Sequence, residues 1–214
     1  MIDLSSFGSA TIVAPHPDDE TIGAFGLIRA LRDLEARVSI IVVSDGSASH
    51  HNSREWPKVK LVAQRKKETV AAMALAGIAE TSICFLAFVD GGLHALSPSE
   101  KSEILDAVIS APADLLVIPE PIDDHPDHRA IGQLLAYCPS FQSVWAYRVW
   151  PPLCVGPECE LRHELGDYQP LKRQALALYA TQLGLVDDDP TGFTISPELF
   201  DQFCAPVERF RKLR

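Results

Sequence analysis

The stretch of residues 10–20 reads ATIVAPHPDDE. Its apolar start is typical of a buried strand, and one imidazole and three consecutive acids follow that strand directly. A second apolar run, at residues 115–118, is followed in the same way by DDHPDH at residues 123–128. Open α/β sheets bind their ligands at the carboxyl ends of strands. The two polar strand ends therefore indicate one hydrolytic site built around a metal ion.

The composition is that of an ordinary globular domain. The 214 residues are 47% hydrophobic and 22% charged, which is enough chain to bury a sizeable core. The formal net charge of −10 disfavours nucleic acid as a partner, because phosphate binding needs a basic face. No apolar stretch is long enough for a transmembrane segment, and no signal peptide is expected. Five irregularly spaced cysteines fit reduced thiols, so we expect a cytoplasmic protein; a homo-oligomer is left open.

Strand and helix patterns alternate before Trp150. The predicted strands lie at 10–14, 38–44, 82–87, 115–118 and 143–149, and the predicted helices at 20–36, 59–76, 98–110 and 128–137. This order predicts βαβ units, hence an α/β fold with a mainly parallel sheet. Beyond Trp150, proline, glycine and acidic residues indicate loops around one helix near 170–180. We predict a single domain, 1–214, with an α/β core at 1–150 and a C-terminal cap or pocket segment at 151–214.

Metal ligands are predicted from both polar segments. His16 and Asp19 lie three residues apart at a strand-to-helix turn, so their side chains can reach one point. A catalytic zinc takes three protein ligands and keeps one position for water. Either His125 or His128 supplies the third ligand, because spacing alone does not choose between them. A helix N-terminus would also favour the acids, but it does not explain the imidazole or the second segment. We predict one Zn²⁺ per chain.

Two further acids have suitable neighbours for proton transfer. Asp18 lies beside a ligand without being needed as one, so we expect it to act as the general base. Its alternative roles are to cap the helix or to orient His16. Asp127 lies between two histidines and is placed to orient whichever of them does not bind the metal. That histidine, held protonated, would stabilise an oxyanion or protonate a leaving amine.

The segments APHPDDETIG at 14–23 and DDHPDHRAIG at 123–132 resemble the two signature segments of the PIG-L/LmbE-type zinc deacetylases. RKKE at 65–68 is similar to the R-x-x-E helix of that family. Residues 172–182 are similar to its K-x-x-A…Y-x-S-Q helix, with Thr181 in place of the serine. The resemblance implies a Rossmann-like three-layer α/β sandwich. It also implies removal of the acetyl group from an N-acetylglucosamine-type amino sugar conjugate, whose aglycone the sequence does not identify.

Carried over by motif position, the resemblance implies three zinc ligands: His16, Asp19 and His128. It implies that Asp18 is the general base. It further implies that His125 polarises the amide carbonyl and that Asp127 supports His125. Arg65 matches a position associated with the sugar substrate; the alternative is a surface helix residue paired with Glu68.

Three other functions are weighed against deacetylation. A dinucleotide-binding protein is disfavoured, because the first turn lacks G-x-G-x-x-G and its acids would repel a pyrophosphate. A metal-dependent phosphoesterase would hold paired cations in its acidic loops, so metal stoichiometry distinguishes it from a deacetylase. A non-catalytic sugar-binding protein would have no need of a base beside an open metal site.

Overall fold

The computed structural model of the chain describes residues 2–152 and 161–214. Its strands are β1 (Ser9–Ala14), β2 (Arg37–Ser44), β3 (Ile83–Phe88), β4 (Leu115–Pro119), β5 (Ser143–Tyr147), β6 (Leu161–Glu164) and β7 (Val207–Lys212). Its α-helices are α1 (Asp19–Asp33), α2 (Lys58–Leu75), α3 (Pro98–Ile109), α4 (Pro126–Leu135), α5 (Tyr168–Leu176) and α6 (Pro197–Phe203). The strands form one sheet in the order β3-β2-β1-β4-β5-β7-β6. Strands β1 to β5 pair in parallel, and β7 runs antiparallel to its neighbours β5 and β6.

The sheet is buried on both faces. Helices α1, α2 and α5 contribute to the core on one face, and α3 and α4 contribute to the core on the other. Neighbouring residues of a central strand therefore enter different cores: Ile12 packs on the first face and Val13 on the second. This double burial explains why β4 is a continuous apolar run and why the two polar residues of β1, Ser9 and Thr11, are themselves buried.

The direction in which the sheet grows reverses between β1 and β4. The chain adds β2 and β3 on one side of β1, and then returns to add β4 and β5 on the other side. Strands β1 and β4 are direct neighbours, with Ala10 opposite Leu115 and Ile12 opposite Val117. Crevices at such reversals are where α/β sheets bind ligands. The two polar segments, which follow β1 and β4, are therefore brought side by side.

The strand and helix order predicted before Trp150 is confirmed, and the interpretation of the rest of the chain is wrong in part. Among the described residues beyond Trp150, two strands and α6 accompany the expected helix. Strand β7 was not predicted because its sequence, VERFRK, is mostly charged. It nevertheless buries Glu208 and Phe210 and extends the sheet beside β5. Residues 153–160 of the predicted cap lie outside the described residues.

A buried ion pair ties this C-terminal part to α1. The Lys172 ammonium donates to the Ile22 carbonyl at 2.7 Å and to Glu208 Oε1 at 2.9 Å. The Glu208 carboxylate also accepts the backbone N–H groups of Gly26 and Leu27 at 2.9 and 3.0 Å. A buried ion pair is tolerated when its remaining polar atoms are satisfied, as they are here.

None of the helices in the described ranges is both long and apolar enough to span a membrane.

Candidate active site

The first loop, residues 15–18, makes a tight turn between β1 and α1. The backbone N–H of His16 donates to Asp19 Oδ2 at 2.8 Å, so the turn folds back on the first residue of the helix. Asp18 has a φ of 128°, a conformation that costs a non-glycine residue energy and that clusters at functional sites. Its N–H donates to Glu20 Oε2 at 3.2 Å, which holds this conformation in place.

Three side-chain atoms converge at the boundary between the two polar segments. His16 Nδ1 lies 3.2 Å from Asp19 Oδ2 and 3.0 Å from His128 Nε2. His128 Nε2 lies 3.1 Å from the same Asp19 oxygen. The three atoms thus form a nearly equilateral triangle, and all three side chains are largely withdrawn from solvent.

This triangle fits a metal ion. Three ligand atoms of a tetrahedral zinc site, each about 2.0–2.1 Å from the ion, lie roughly 3.3 Å from one another. Two imidazole nitrogens and one carboxylate oxygen are also the donor types that catalytic zinc takes. A second set of potential donors, His125 together with His16 and His128, lies close to the same point. We favour the triangle with Asp19, because its three distances match those between the ligands of a tetrahedral zinc ion and because a carboxylate balances the charge of the ion.

The other nitrogen of His16 is held by two carboxylates. His16 Nε2 lies 3.1 Å from Asp90 Oδ1 and 3.4 Å from Asp127 Oδ2. Metal-binding histidines usually donate their second N–H to a carboxylate, which fixes the ring and makes it a better ligand. Asp90 was missed as a site residue, because D-G-G after β3 is also an ordinary turn pattern. Its pKa is about 2: burial raises it, but the hydrogen bond to His16 outweighs burial.

The role expected for Asp127 differs from its contacts. Its carboxylate contacts His16, and its other oxygen accepts the backbone N–H of His94 at 3.2 Å. The side chain was expected to support His125, but the contact between these two residues is made by the backbone: the N–H of Asp127 donates to His125 Nδ1 at 3.3 Å. The reason is local, since His125 is the N-cap of α4 and caps its first turn with its own ring.

The second loop, residues 120–125, is organised by Asp123. This buried carboxylate accepts the N–H of His125 at 2.8 Å and those of Val149 and Trp150 at 2.9 and 3.0 Å. It also lies 3.5 Å from His128 Nδ1, an ion-pair distance longer than a good hydrogen bond. Asp123 therefore fixes the second loop to the end of β5 and faces the back of the His128 ring.

Gly132, at the end of the second signature segment, lets α4 approach β4. A Cβ atom on this residue would lie 2.5 Å from the carbonyl oxygen of Pro119. Such a contact with backbone cannot be relieved by a side-chain movement, so a larger residue would push the helix that carries His128 away from the sheet.

Arg65 is buried beneath the first loop and is not a surface residue. It is 2% exposed, and its guanidinium donates to the carbonyls of Gly46 and Pro17 at 2.8 and 2.6 Å. It also donates to Asp18 Oδ2 at 3.2 Å. The alternative of a surface pair with Glu68 is therefore wrong.

Glu68 instead connects α2 to the late segment of the chain. Its carboxylate accepts the N–H of Thr181 at 3.1 Å and the Thr181 hydroxyl at 2.6 Å. The contact is made by the Thr181 hydroxyl, and serine carries the same hydroxyl. Threonine can therefore replace the serine of the family motif at this position. Helix α2 uses Arg65 and Glu68, three residues apart, to hold two separate segments.

The carboxyl group of Asp18 is strongly perturbed. Burial raises the pKa of Asp18 from 3.8 to about 8, although the nearby Arg65 charge opposes this shift. Burial likewise raises the pKa of its neighbour Glu20 from 4.5 to about 7, against the hydrogen bond that the Tyr179 hydroxyl donates. An acid whose pKa lies near neutral pH is suited to general acid–base chemistry.

Protons and a cation compete for the triangle. Burial lowers the pKa of His128, but the Asp19 charge outweighs burial and raises it from 6.5 to about 9. Burial raises the pKa of Asp19, but the two histidines outweigh it and hold it far below 3.8. In the absence of a cation, His128 therefore keeps its second proton at neutral pH, and a cation that binds this ring must displace a proton.

A cavity of about 260 Å³ opens beside these groups. Its walls include every predicted site residue except Asp127, and also residues from the C-terminal part: His16, Asp18, Asp19, Ile22, Ala48, Ser49, Arg65, Asp90, Gly91, His125, His128, Val149, Trp150, Gln182, Phe193 and Phe203. A smaller cavity of about 60 Å³ lies beside the Lys172–Glu208 pair, and none of the predicted site residues is among its described lining. The larger cavity is therefore the candidate active site.

The GlcNAc-PI de-N-acetylase (PIG-L) family model matches residues 11–138. This range covers β1 to α4, with both polar segments and α2. The chain belongs to the PIG-L family of de-N-acetylases, as the two signature segments indicated.

Two curated relatives are amide-hydrolysing deacetylases of N-acetyl amino sugars. One is the probable N-acetyl-alpha-D-glucosaminyl L-malate deacetylase 2 of Bacillus anthracis, 27% identical over 184 residues, or 80% of each chain. The other is the diacetylchitobiose deacetylase of Thermococcus kodakarensis, 29% identical over 135 residues, which are 62% of this chain and 49% of the relative.

Solved structures share the fold over nearly the whole chain. The N,N'-diacetylchitobiose deacetylase of Pyrococcus horikoshii superposes with a TM-score of 0.77 at 19% identity, covering 97% of this chain and 84% of that one. The 4-carboxy-2-hydroxymuconate hydratase of Pseudomonas putida has a TM-score of 0.72 at 14% identity, covering 96% of both chains. The same fold therefore occurs with different reactions, and the function must be argued from the site.

Proposed function

We propose that this protein is a zinc-dependent hydrolase that removes the acetyl group from an N-acetylglucosamine-type amino sugar conjugate. The observation that carries the proposal is the triangle of His16, Asp19 and His128 donor atoms on the wall of the cavity that Asp18 also lines. Family membership and the two deacetylase relatives support the same reaction.

His16, Asp19 and His128 would hold the ion, one per chain. The chemistry that Zn²⁺ supplies in such a site is polarisation of the amide carbonyl and activation of water near neutral pH. His16 is oriented for this task by Asp90 and Asp127, which receive its second N–H. A phosphoesterase would bind two cations side by side. It is less well supported, because both groups of potential metal donors among the described residues include His16 and therefore overlap.

Asp18 takes the proton from the attacking water. Its burial keeps its basicity near neutral pH, and Arg65 and Glu20 hold its side chain and backbone in place. After the attack, the same carboxyl group can carry that proton to the departing amine, because it lines the cavity in which the amide lies.

His125 stabilises the oxyanion as a neutral donor. Its Nδ1 accepts the Asp127 N–H, so this nitrogen carries no proton and the neutral ring must carry its hydrogen on Nε2. Burial lowers the pKa of His125, and the charges of His128 and His16 lower it further, which favours this neutral form. The Nε2–H group is then the donor that faces the carbonyl oxygen. Asp127 supports it through its backbone and supports His16 through its carboxylate.

Arg65 is proposed to serve the sugar as well as the base. It lines the cavity, which supports a contact with the substrate, and it also binds Asp18. Its replacement should therefore change both KM and kcat, whereas a residue that contacted the sugar alone would mainly change KM.

The fold and the cysteines support the proposed domain organisation and cell compartment. The strand order β3-β2-β1-β4-β5 supports a Rossmann-like core. The C-terminal strands share its sheet, which supports one domain over residues 1–214, with 151–214 as a cap that helps to form the pocket. The three cysteines that the structure describes, Cys84, Cys138 and Cys204, are free thiols. The reducing cytoplasm favours this state, which supports a cytoplasmic protein.

The test is a panel of N-acetylglucosamine conjugates, assayed for released acetate and free amine with the zinc-loaded protein and after treatment with a chelator. We expect release from at least one conjugate, loss of release with the chelator and recovery on addition of Zn²⁺. Absence of release from every conjugate by fully loaded protein, or release that the chelator does not change, would contradict the proposal.

A further inference from the structure

Three aromatic side chains form one wall of the cavity: Trp150, Phe193 and Phe203. We call these residues the aromatic wall. The Trp150 ring meets the edges of both phenylalanines, with centroid distances of 6.0 Å to Phe193 and 5.5 Å to Phe203. Phe193 is 40% exposed, so the wall presents apolar ring surface to whatever enters the cavity.

The aromatic wall is held in place by the same groups that hold the polar site. Asp123, which faces His128, accepts the N–H of Trp150 at 3.0 Å. The N–H of Phe193 donates at 2.7 Å to the carbonyl of Ser49, another residue of the cavity. These bonds hold the backbone on each side of the cavity, and the contact between the Trp150 and Phe193 rings restrains the side chains, so less conformational entropy is lost when a ligand stacks on them.

The charges around the cavity do not suit an anion. Arg65 is the one lysine or arginine among the described residues of its lining, and its guanidinium already binds two carbonyls and Asp18. Three acids, Asp18, Asp19 and Asp90, line the same space, and two carboxylates are enough to offset the charge of a bound divalent cation. A carboxylate on the aglycone would lose its hydration without gaining a cationic partner.

We propose that the aromatic wall is the aglycone subsite of this enzyme, and that it selects an uncharged aglycone with a flat apolar ring face over an anionic one. This inference rests on the proposed function, because it takes the polar site as the place where the acetamide is cleaved. Ring stacking on an aromatic side chain favours the matching ligand by a factor on the order of ten. An aryl group and the apolar face of a second sugar share this chemistry.

The test compares kcat/KM for three substrates of the zinc-loaded protein: phenyl N-acetylglucosaminide, N,N'-diacetylchitobiose and the N-acetylglucosaminyl malate conjugate. We expect the better of the two uncharged conjugates to exceed the malate conjugate by about tenfold or more. The ratio between the phenyl compound and diacetylchitobiose shows whether an aryl or a sugar ring is preferred. Faster hydrolysis of the malate conjugate would overturn the proposal.

Two variants of Phe193 sharpen the test, since this residue is half exposed and its replacement should not prevent folding. Phe193→Ala should lower kcat/KM for the preferred uncharged conjugate several-fold more than for free N-acetylglucosamine, and Phe193→Arg should raise the relative rate on the malate conjugate. The matched control is Tyr137→Ala, an aromatic residue 89% exposed and absent from the described lining of the cavity. Unchanged substrate ratios in both Phe193 variants would contradict the assignment of the subsite.

Failure of the proposed function gives a different result. If no conjugate releases acetate, calorimetric titration of the wild-type protein with the same uncharged and malate conjugates measures the preference as binding alone. Tighter binding of an uncharged conjugate, weakened in Phe193→Ala, would support the subsite without the deacetylase activity. Tighter binding of the malate conjugate, or no binding of either uncharged one, would overturn it.

Discussion

The two loops that carry the site are stabilised in different ways. The second loop is organised by its own side chains: Asp123 binds the backbone of His125 and that of Val149, which lies just after β5, and His125 caps the helix that follows. The first loop depends on distant parts of the chain. Arg65 of α2 binds its Pro17 carbonyl and the Asp18 carboxylate, and Asp90 beyond β3 holds its histidine.

This difference separates two properties of the site. Asp123 and the His125 cap hold the second loop and the start of α4, which carries the proposed ligand His128. The first loop carries the proposed base in a strained conformation and needs side chains from α2 and from the segment after β3 to maintain it. Strain of this kind persists only where the surroundings over-determine the conformation. We therefore expect changes in the second loop to act mainly on metal binding, and changes around the first loop to act mainly on proton transfer and stability.

The largest effect is expected from removal of the ligand in α4. His128→Ala leaves two corners of the triangle, so the protein should lose its metal and its activity should fall by a factor on the order of 10³ or more. Elemental analysis and the acetate-release assay measure the two effects. The exposed His51 provides the matched control, His51→Ala, which should keep both metal and activity. Full metal occupancy in His128→Ala would mean that His125 supplies the third ligand.

A change of the base should separate chemistry from metal binding. Asp18→Asn keeps the shape of the side chain but cannot accept the proton, so kcat should fall by about 10²-fold or more while metal content stays unchanged. The control is Asp124→Asn, in the second loop, where the acid is exposed. Near wild-type turnover by Asp18→Asn would remove Asp18 from its proposed role.

The pH dependence should differ between metal-free and metal-loaded protein. The pKa of His128 is raised from 6.5 to about 9, so in metal-free protein its stabilising effect is complete below about pH 6.5 and is lost as the pH rises towards 9. The raised pKa values of Asp18 and Glu20 act in the same direction up to about pH 8 and 7, respectively. Metal affinity should instead rise about tenfold per pH unit for each proton displaced.

Thermal unfolding between pH 6 and pH 9 measures this difference. We expect the Tm of chelator-treated protein to fall with rising pH, and the increase in Tm on adding Zn²⁺ to grow over the same range. A metal-induced increase that shrinks as the pH rises would show that protons do not compete at this site.

The smallest effect is expected from the distant support of the first loop. Tyr179→Phe removes the hydroxyl that donates to the buried Glu20, whose other oxygen holds the Asp18 N–H. An unsatisfied buried acceptor costs about 1–3 kcal/mol, so the free energy of unfolding should fall by that amount in a denaturant titration. Tyr137→Phe, at an exposed tyrosine, is the control. Equal stabilities for the two variants would show that the Tyr179 contact contributes nothing to the first loop.

Much of the core was predictable because its signals are local. Mostly apolar runs identify β1 to β5, and a helical pattern follows each of the first four. Strands β1 and β4 are buried along their whole length and carry few polar residues. The C-terminal strand β7 lacks this signal. Its buried charge is paired with a residue far away in the chain: Glu208 binds Lys172. The sequence near β7 does not contain that partner, so the local pattern does not show that Glu208 is buried.

The sequence alone identifies the two polar segments, the family that they define and the donor types of the proposed metal site. Which distant groups meet there depends on the folded structure. Spacing left His125 and His128 equivalent, and it is His128 Nε2 that lies 3.0–3.1 Å from the other two donors. Asp90 joins the site because the sheet order brings the segment after β3 close to the end of β1, and Phe193 and Phe203 join it because the C-terminal part of the chain packs over the cavity. The physical reason is that local sequence fixes backbone conformation within a few residues, whereas contacts between remote side chains depend on how the whole sheet packs.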